Sequence, residues 1–305
     1  TGLMPLVEGI PVIFHPDPTD VLTIAKAIAK HQATVYCSTS TFQRLFSRNR
    51  HNHPLMLDSL LVVVSGAQIL NADVRDAFNL KFNKEIYDGY GTTETTPVAR
   101  VNIPVLIDQW YWQVLQWNMA GTVGMPLPGG SFRIVDPDTL ASLPANEDGL
   151  ILFGGSQVML GYLNDTEKTA DVIVEMDGKR WYKTGDKGHL DPDGFLTIVD
   201  RYSRFAKIGG EMISLGAIEG AIAKVLPENI EVLTTALPDG KKGEKVILLM
   251  AGDIDEDEMK ELIEQSGLNP LMRPAELIHV EAIPKLGSGK NDFSRAKQIA
   301  MEACT

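Results

Sequence analysis

Five consecutive aliphatic residues, Leu60 to Val64, run directly into Ser65-Gly66, and no other segment limits the fold as strongly. Such a run has no polar face to offer water, so it reads as a strand covered on both sides, the situation of an inner parallel strand. Parallel neighbours need a crossover, usually a helix. Asn71–Phe82 supplies a predicted helix, and Glu85–Tyr87 a second strand after it. Upstream, Val12–Phe14 is a short apolar run before a turn at Pro16 and Pro18. Val21–Lys30 then carries apolar residues at helical spacing, and Thr34–Tyr36 is β-rich. The alternation predicts an α/β fold with a mainly parallel sheet over residues 1–120.

Two changes of texture follow. Between 121 and 199 the short β-rich segments Phe132–Val135, Leu150–Phe153 and Phe195–Val199 are separated by Gly, Pro and Asp, which predicts a β-rich subdomain. Residues 200–305 mix both kinds of element. Ala217–Leu226 is predicted helical, and Glu231–Leu237 with Lys245–Met250 forms a hairpin about Asp239-Gly240 and Lys242-Gly243. Asp255 with Glu258 opens a helix that stops near Gly267, and Phe293–Ala303 is a last helix. This stretch has an ordinary size for an α+β domain.

The formal net charge of −12 argues against a nucleic-acid partner, because phosphate backbones are met by clustered Lys and Arg. Cys37 and Cys304 show neither metal-ligand nor redox spacing, as expected in a reducing compartment such as the cytoplasm. No run of about 18 apolar residues exists to span a bilayer. Gly2–Val12 lacks the basic start of a signal peptide. Ile107–Trp117 holds three of the four tryptophans; core packing, a partner contact, an acyl tunnel and a bilayer surface all suit such a cluster.

Chemistry concentrates in four segments. Tyr90-Gly91-Thr92-Thr93-Glu94 follows a predicted strand, at the end where open α/β sheets bind ligands. Gly91 would let backbone approach a phosphate, the threonine hydroxyls can donate to phosphoryl oxygens, Glu94 offers Mg²⁺ a hard oxygen, and Tyr90 offers adenine a flat face. The bland alternative is a polar loop at a strand end. Tyr182-Lys183-Thr184-Gly185-Asp186 ends in a carboxylate able to accept two hydrogen bonds from a vicinal diol, or to serve as an ordinary turn Asp. The third segment runs from Asp200-Arg201 through Lys207 to Gly209-Gly210-Glu211, and a glycine-rich hairpin explains its glycines equally well. The fourth, Pro284–Lys290, puts one compact cation, Lys290, on a Gly-Ser-Gly backbone, where it can neutralise charge shared by a carboxylate and a phosphate. It does not satisfy the P-loop pattern.

These four segments, in this order, resemble the adenylate-forming superfamily of acyl-CoA synthetases, luciferases and peptide-synthetase adenylation domains, and the likeness covers essentially the whole chain. It implies that superfamily's α/β fold with a truncated large domain, comprising a partial nucleotide-binding subdomain (1–120) and the β-rich subdomain (121–199). A small mobile α+β domain (200–305) would follow. It implies ATP or AMP and Mg²⁺ as cofactors. By resemblance Tyr90 contacts adenine, with Gly66, Ala67, Gln68 and Asp88 beside it. Gly91 and Thr92 or Thr93 hold the α-phosphate, Glu94 binds the metal, and Asp186 and Arg201 reach the ribose. Lys290 becomes the principal catalytic residue, with Glu94 and Thr93 beside it in the catalytic set. Asp200 becomes the hinge, and Lys207, Gly209, Gly210 and Glu211 form the face used for thioester formation.

Arg204–Leu215 and Leu286–Phe293 further resemble the synthetase half of bifunctional bacterial acyl-[acyl-carrier-protein] synthetase/2-acylglycerophosphoethanolamine acyltransferases. That narrower likeness implies a fatty acid as substrate and acyl carrier protein, or CoA, as acceptor. Lys207, Arg201 and Arg204 would make a basic patch for the acidic carrier. Membrane association would come through the parent protein, at the inner face of the bacterial inner membrane. The superfamily's Ser/Thr/Gly-rich loop for the β- and γ-phosphates belongs upstream of Thr1. The chain is therefore expected to be a fragment that is weak or inactive alone. An acyl-CoA or aryl-CoA ligase and a non-catalytic nucleotide-binding module are the competing expectations.

Overall fold

A computed structural model describes residues 3–304 apart from 69, 109, 111, 113, 228, 241 and 287–289. The chain divides into two compact units, Thr1–Val199 and Asp200–Thr305.

In the first unit, β1 (Val35–Ser38), β2 (Val62–Ser65) and β3 (Ile86–Tyr90) are parallel and adjacent in that order. The short strand β4 (Arg100–Val101) adds antiparallel to β3, and Met125–Pro126 pairs beyond it. Helix α1 is Leu3–Val7, α2 Val21–His31, α3 Ser40–Arg48 and α4 Ala72–Phe82. Asp20 starts α2 by accepting from Thr23 N–H at 3.1 Å. Asn83 ends α4 in the left-handed region, φ +51°, which asparagine tolerates well. The core of this layer joins Ala25 and Ile28 of α2, Phe46 of α3 and Phe78 of α4 to Val63 and Ile86.

The aliphatic run is covered less evenly than its composition suggests. Val63 is 1 % exposed, whereas Leu61 is 74 % exposed and Val62 and Val64 are half-buried. The buried cluster that α2, α3 and α4 build takes in Leu60 and Val63 and leaves Leu61, Val62 and Val64 outside. Val12–Phe14 forms no strand, and Ile13 and Phe14 are exposed.

A second, antiparallel sheet runs Ile173–Met176, Lys179–Leu190, Gly149–Gly155 and Gly130–Val135, with Leu196–Arg201 paired to Lys179–Leu190. Arg100, 1 % exposed, ties the two sheets together. Its Nε donates to Gly124 O at 2.9 Å, its terminal nitrogen donates to Gly194 O, and its guanidinium lies 4.7 Å from the centre of the Phe132 ring. Burial pushes this guanidinium's pKa down to about 10, with Asp191 opposing. The tryptophan cluster is not core. Trp110 and Trp112 are 90 % and 79 % exposed near a small hairpin of Leu106–Ile107 and Val114–Leu115.

The second unit is a sheet between helices. Glu231–Asp239 and Gly243–Ala251 form a long hairpin, to which Phe205–Ile208 and Glu276–His279 pair on the Gly243–Ala251 side. Ile218 and Ile222 of helix Leu215–Ile222 and Met259 and Ile263 of helix Glu256–Gln265 pack with Leu248 and Met250. Ala296 and Ala300 of helix Phe293–Ala303 pack with Leu233, Ile247 and Leu249, the alternate residues of the same strands. Asp255 accepts from Glu258 N–H at 2.8 Å, as the sequence predicts. No described helix is long and apolar enough to cross a membrane.

Candidate active site

The carboxyl ends of β1, β2 and β3 carry the first cluster. Ser65 pairs with Asp88 across β2 and β3, and Gly66 N–H donates to Ser38 O at 3.1 Å. The chain then turns through Ala67, whose φ of +67° is unusual for a residue with a side chain. Gln68 Oε1 accepts from Thr41 Oγ1 at 2.9 Å. Asp88 is 6 % exposed. Burial raises its carboxyl to about 7, against the pull of the Leu70 amide, the Arg75 charge and the Gly89 amide.

β3 delivers Tyr90 to the following loop. Thr92 N–H donates to Thr95 Oγ1, which donates back to Thr92 O, both at 3.0 Å, and Thr93–Thr95 is a single 3₁₀ turn. Gly91 has a different reason to be glycine from the one its motif suggests. The space where a side chain would project is filled by the Pro97 backbone, so the residue is demanded by the loop's own closure. Thr93 is exposed and Thr92 half-buried, while Ser65 Oγ is buried with no hydrogen-bond partner.

Glu94 follows, and the Tyr162 hydroxyl donates to its Oε1 at 2.8 Å. Burial alone would raise the Glu94 carboxyl. Its own backbone amide and the surrounding hydroxyls, Tyr162 first among them, outweigh that and hold it below the ordinary glutamate range.

Asp186 reaches the same region by a bulge. In Lys179–Leu190, Lys183 pairs with Leu152 and Lys187 with Leu150, so four residues on one strand span two on the other. Gly185 at φ +74° absorbs the excess, and Thr184 Oγ1 pins it by donating to Ile151 O at 2.9 Å. What reads in sequence as a terminal turn is thus an irregularity inside a twelve-residue strand, and it aims Asp186 inward, 4 % exposed. The Tyr90 hydroxyl donates to Asp186 Oδ2 at 2.5 Å. Tyr182 belongs to the same region: burial first, then the charges of Glu94 and Asp186 among others, raise its hydroxyl pKa.

The remaining predicted residues lie in the second unit. Asp200 opens it, and its carboxylate accepts from Arg201 N–H at 2.8 Å, Ser214 Oγ at 2.7 Å and Gly216 N–H at 3.0 Å. Lys207 is exposed in Phe205–Ile208, with its N–H donating to Glu244 at 2.6 Å. Gly209 and Gly210, at φ +61° and +90°, are the two-residue turn joining that strand to Glu211–Ser214, and positive φ at both positions explains the pair. Glu211 is exposed beside them. Arg204 is no surface cation. It is 8 % exposed, ion-paired to Glu219 at 2.8 Å and stacked 4.2 Å from the Phe293 ring centre, because the aromatic start of the last helix covers it. Lys290 is half-buried in a loop closed by Leu286 N–H to Lys290 O at 2.7 Å and by a bridge between Lys285 and Asn291. Gly287, Ser288 and Gly289 lie outside the described residues.

Residues 2–163 match the model of the AMP-binding enzyme family. The chain belongs to that family. It is 31 % identical over 276 residues to 4-coumarate–CoA ligase 2 of Solanum tuberosum, covering 89 % of this chain and 49 % of the relative. It is 30 % identical to 4-coumarate–CoA ligase 1 of Glycine max, covering 89 % and 91 % respectively. The chain thus spans about half the length of the potato relative. The fold is that of ATP-bound MatB from Rhodopseudomonas palustris, with a TM-score of 0.82 and 24 % identity over 99 % of this chain and 57 % of that one. O-succinylbenzoate coenzyme A synthetase from Bacillus subtilis, in complex with AMP, matches at a TM-score of 0.75 and 23 % identity, over 96 % and 56 %.

The residues of this member of the AMP-binding enzyme family suit a nucleotide and a magnesium ion. One buried hydroxyl, on Ser65, lacks a protein partner, and buried polar atoms rarely stay unpaired without a purpose. No group of three His, Cys, Asp or Glu among the described residues can hold a metal by itself. Mg²⁺ does not need one, since it commonly takes one or two carboxylates and completes its shell with phosphate and water. Tyr162 and Arg100 escape a reading from sequence. Tyr162 sits in Gly161–Asp165 with no spacing that separates it from a loop aromatic, and Arg100 looks like a solvated arginine after a polar loop.

Proposed function

We propose that the protein containing this chain joins a carboxylic acid to AMP and then passes the acyl group to a pantetheine thiol, with a fatty acid as the acid and acyl carrier protein as the acceptor. The observation carrying this reading is the 2.5 Å hydrogen bond between Tyr90 and Asp186. It joins two motifs from different sheets into one group that also contains Glu94.

In the first step a carboxylate oxygen attacks the α-phosphorus of ATP, the bond to pyrophosphate breaks, and acyl-AMP forms. Asp186 and Arg201 hold the ribose, Tyr90 lies against adenine with Asp88 and Gly66–Gln68 at its edge, and Thr92 or Thr93 donates to the α-phosphate. Lys290 offsets the negative charge that gathers as carboxylate and phosphate approach. Glu94 would hold magnesium, which would supply further charge stabilisation on the phosphates. In the second step the thiol attacks the acyl carbon and AMP leaves. Rotation about Asp200 would exchange Lys290 for the Lys207–Glu211 face between the steps.

The narrower choice of fatty acid and carrier protein is supported by Gly209-Gly210-Glu211 and the Lys290-Asn291-Asp292-Phe293 sequence, and lysophospholipid acylation at the inner membrane face would be its use. Exposed Trp110 and Trp112 suit a nearby bilayer. The names of the relatives favour a second reading, an acid–CoA ligase.

Pyrophosphate exchange by the full-length protein with fatty and aromatic acids, followed by transfer to carrier protein or to CoA, decides between them. Fatty-acid-dependent exchange with transfer to carrier protein is the expected result. Transfer to CoA alone establishes the ligase reading, and AMP binding without exchange establishes a non-catalytic module.

A further inference from the structure

Tyr162 touches Glu94 through a segment fastened at both ends. Arg180 donates to the carbonyls of Met159 and Leu160 at 3.1 and 2.9 Å, and Met159 N–H donates to Glu94 O at 2.9 Å. On the other side, Tyr162 N–H donates to Thr169 Oγ1 at 2.9 Å, and Asp165 caps helix Thr166–Val172 by accepting from Lys168 N–H at 3.0 Å. Lys168 Nζ lies 4.5 Å from the centre of the Tyr162 ring. The phenol is therefore fixed before it meets the carboxylate, and the same segment holds Glu94 by its side chain and its backbone.

We propose that Tyr162 is a positioning residue for Glu94, holding the carboxylate in the orientation that receives the divalent cation of the bound nucleotide. The chemistry of the donor is the argument. A lysine or arginine in this place would fix the carboxylate equally well but would cancel the charge a cation needs. A neutral hydroxyl fixes it and leaves the full negative charge available. Lys168 lies over the ring face. This inference rests on the proposed nucleotide reading, and on Glu94 in particular.

The test uses the full-length protein with Mn²⁺ as the probe, its binding followed by paramagnetic resonance in the presence of ATP. Tyr162→Phe keeps the ring and removes the hydroxyl. The expected result is Mn²⁺ affinity lowered roughly 10-fold or more, the usual effect of losing such a supporting group. Metal-free ATP affinity should stay unchanged, and adenylation should recover at saturating metal, so that the KM for metal rises while kcat holds. Thr169→Val, which removes the acceptor of the Tyr162 N–H and a bond to Asp165 O without touching Glu94, should move Mn²⁺ affinity in the same direction by less, and it decides the matter if the Phe variant fails to fold. Wild-type Mn²⁺ affinity in a folded variant, with any loss confined to Tm, would reduce Tyr162 to packing and overturn the proposal. Failure of the wild-type protein to bind Mn²⁺ with ATP would instead overturn the nucleotide reading, and this inference with it.

Discussion

A Cβ atom on Gly91 would lie 1.8 Å from the carbonyl oxygen of Pro97 and 2.9 Å from the amide nitrogen of Ala99. Neither neighbour is a flexible side chain that can swing aside; both are backbone of the segment that returns from the Thr92–Thr96 loop to β4. Ala99 N–H also donates to Tyr90 O at 2.9 Å, so opening the contact would break the link that closes the loop. Gly91→Ala should cost at least about 2 kcal/mol, within the range for inserting a methyl group where packing is complete. A denaturant midpoint equal to wild type would show that the loop yields freely.

Tyr90 and Asp186 should be energetically coupled. Removing the hydroxyl leaves a carboxylate that is 4 % exposed without one of its donors, and a hydrogen bond to a charged group contributes about 1.5–3 kcal/mol. Tyr90→Phe and Asp186→Ala should each destabilise by roughly that amount, while the double variant loses much less than their sum. Thermal or chemical unfolding of the four proteins gives the coupling directly; strictly additive losses would mean that the contact carries no energy.

Asp88 gives a pH signature of defined sign. Its carboxyl rises from an ordinary 3.8 to about 7 because burial disfavours the charge. Between those values the folded chain keeps a proton that the unfolded chain has released, so stability falls as pH rises through this window and levels off above it. Three units correspond to at most about 4 kcal/mol. Asp88→Asn removes the titration. Its Tm relative to wild type should therefore climb from pH 4 to pH 7 and stay constant beyond, and a flat difference across that range would place the charge in a more polar setting than its burial implies.

Much of this chain is legible from its sequence where local chemistry governs. Phe293–Ala303 has the same limits in both readings, and the Asp255 cap follows from an Asp three residues before Glu258. The Gly209-Gly210 turn is equally local, since only glycine adopts positive φ twice in succession without strain. What stays hidden depends on the partner strand. Nothing in Tyr182–Asp186 says that its glycine sits in a bulge, because a bulge is defined by the register with Gly149–Gly155. Gly216 is a similar case. A Cβ there would meet Asp200 Oδ2 at 2.6 Å, so its identity is fixed by a carboxylate sixteen positions away. Arg204 stays hidden for the same reason: a basic residue in a motif reads as surface, and only the fold brings Glu219 and Phe293 around it.

Lys290 tests the division of labour between the two half-reactions. Leu286 N–H donates to Lys290 O at 2.7 Å and Asp292 N–H to Pro284 O at 2.8 Å, so the backbone of Lys290 is held independently of its side chain. Lys290→Ala should therefore leave the fold and its Tm close to wild type, since a half-buried side chain outside the core is lost. In the full-length protein, removing a charge that acts only as carboxylate and phosphate converge should slow adenylation on the order of 100-fold or more. Thioester formation from supplied acyl-AMP should change by less than about 10-fold, because in the proposed mechanism that step uses the Lys207–Glu211 face, and Lys207→Ala should give the opposite pattern. Equal losses in both half-reactions for both variants would defeat the idea that the second unit presents different groups in turn, and would leave Lys290 as a general contributor to binding.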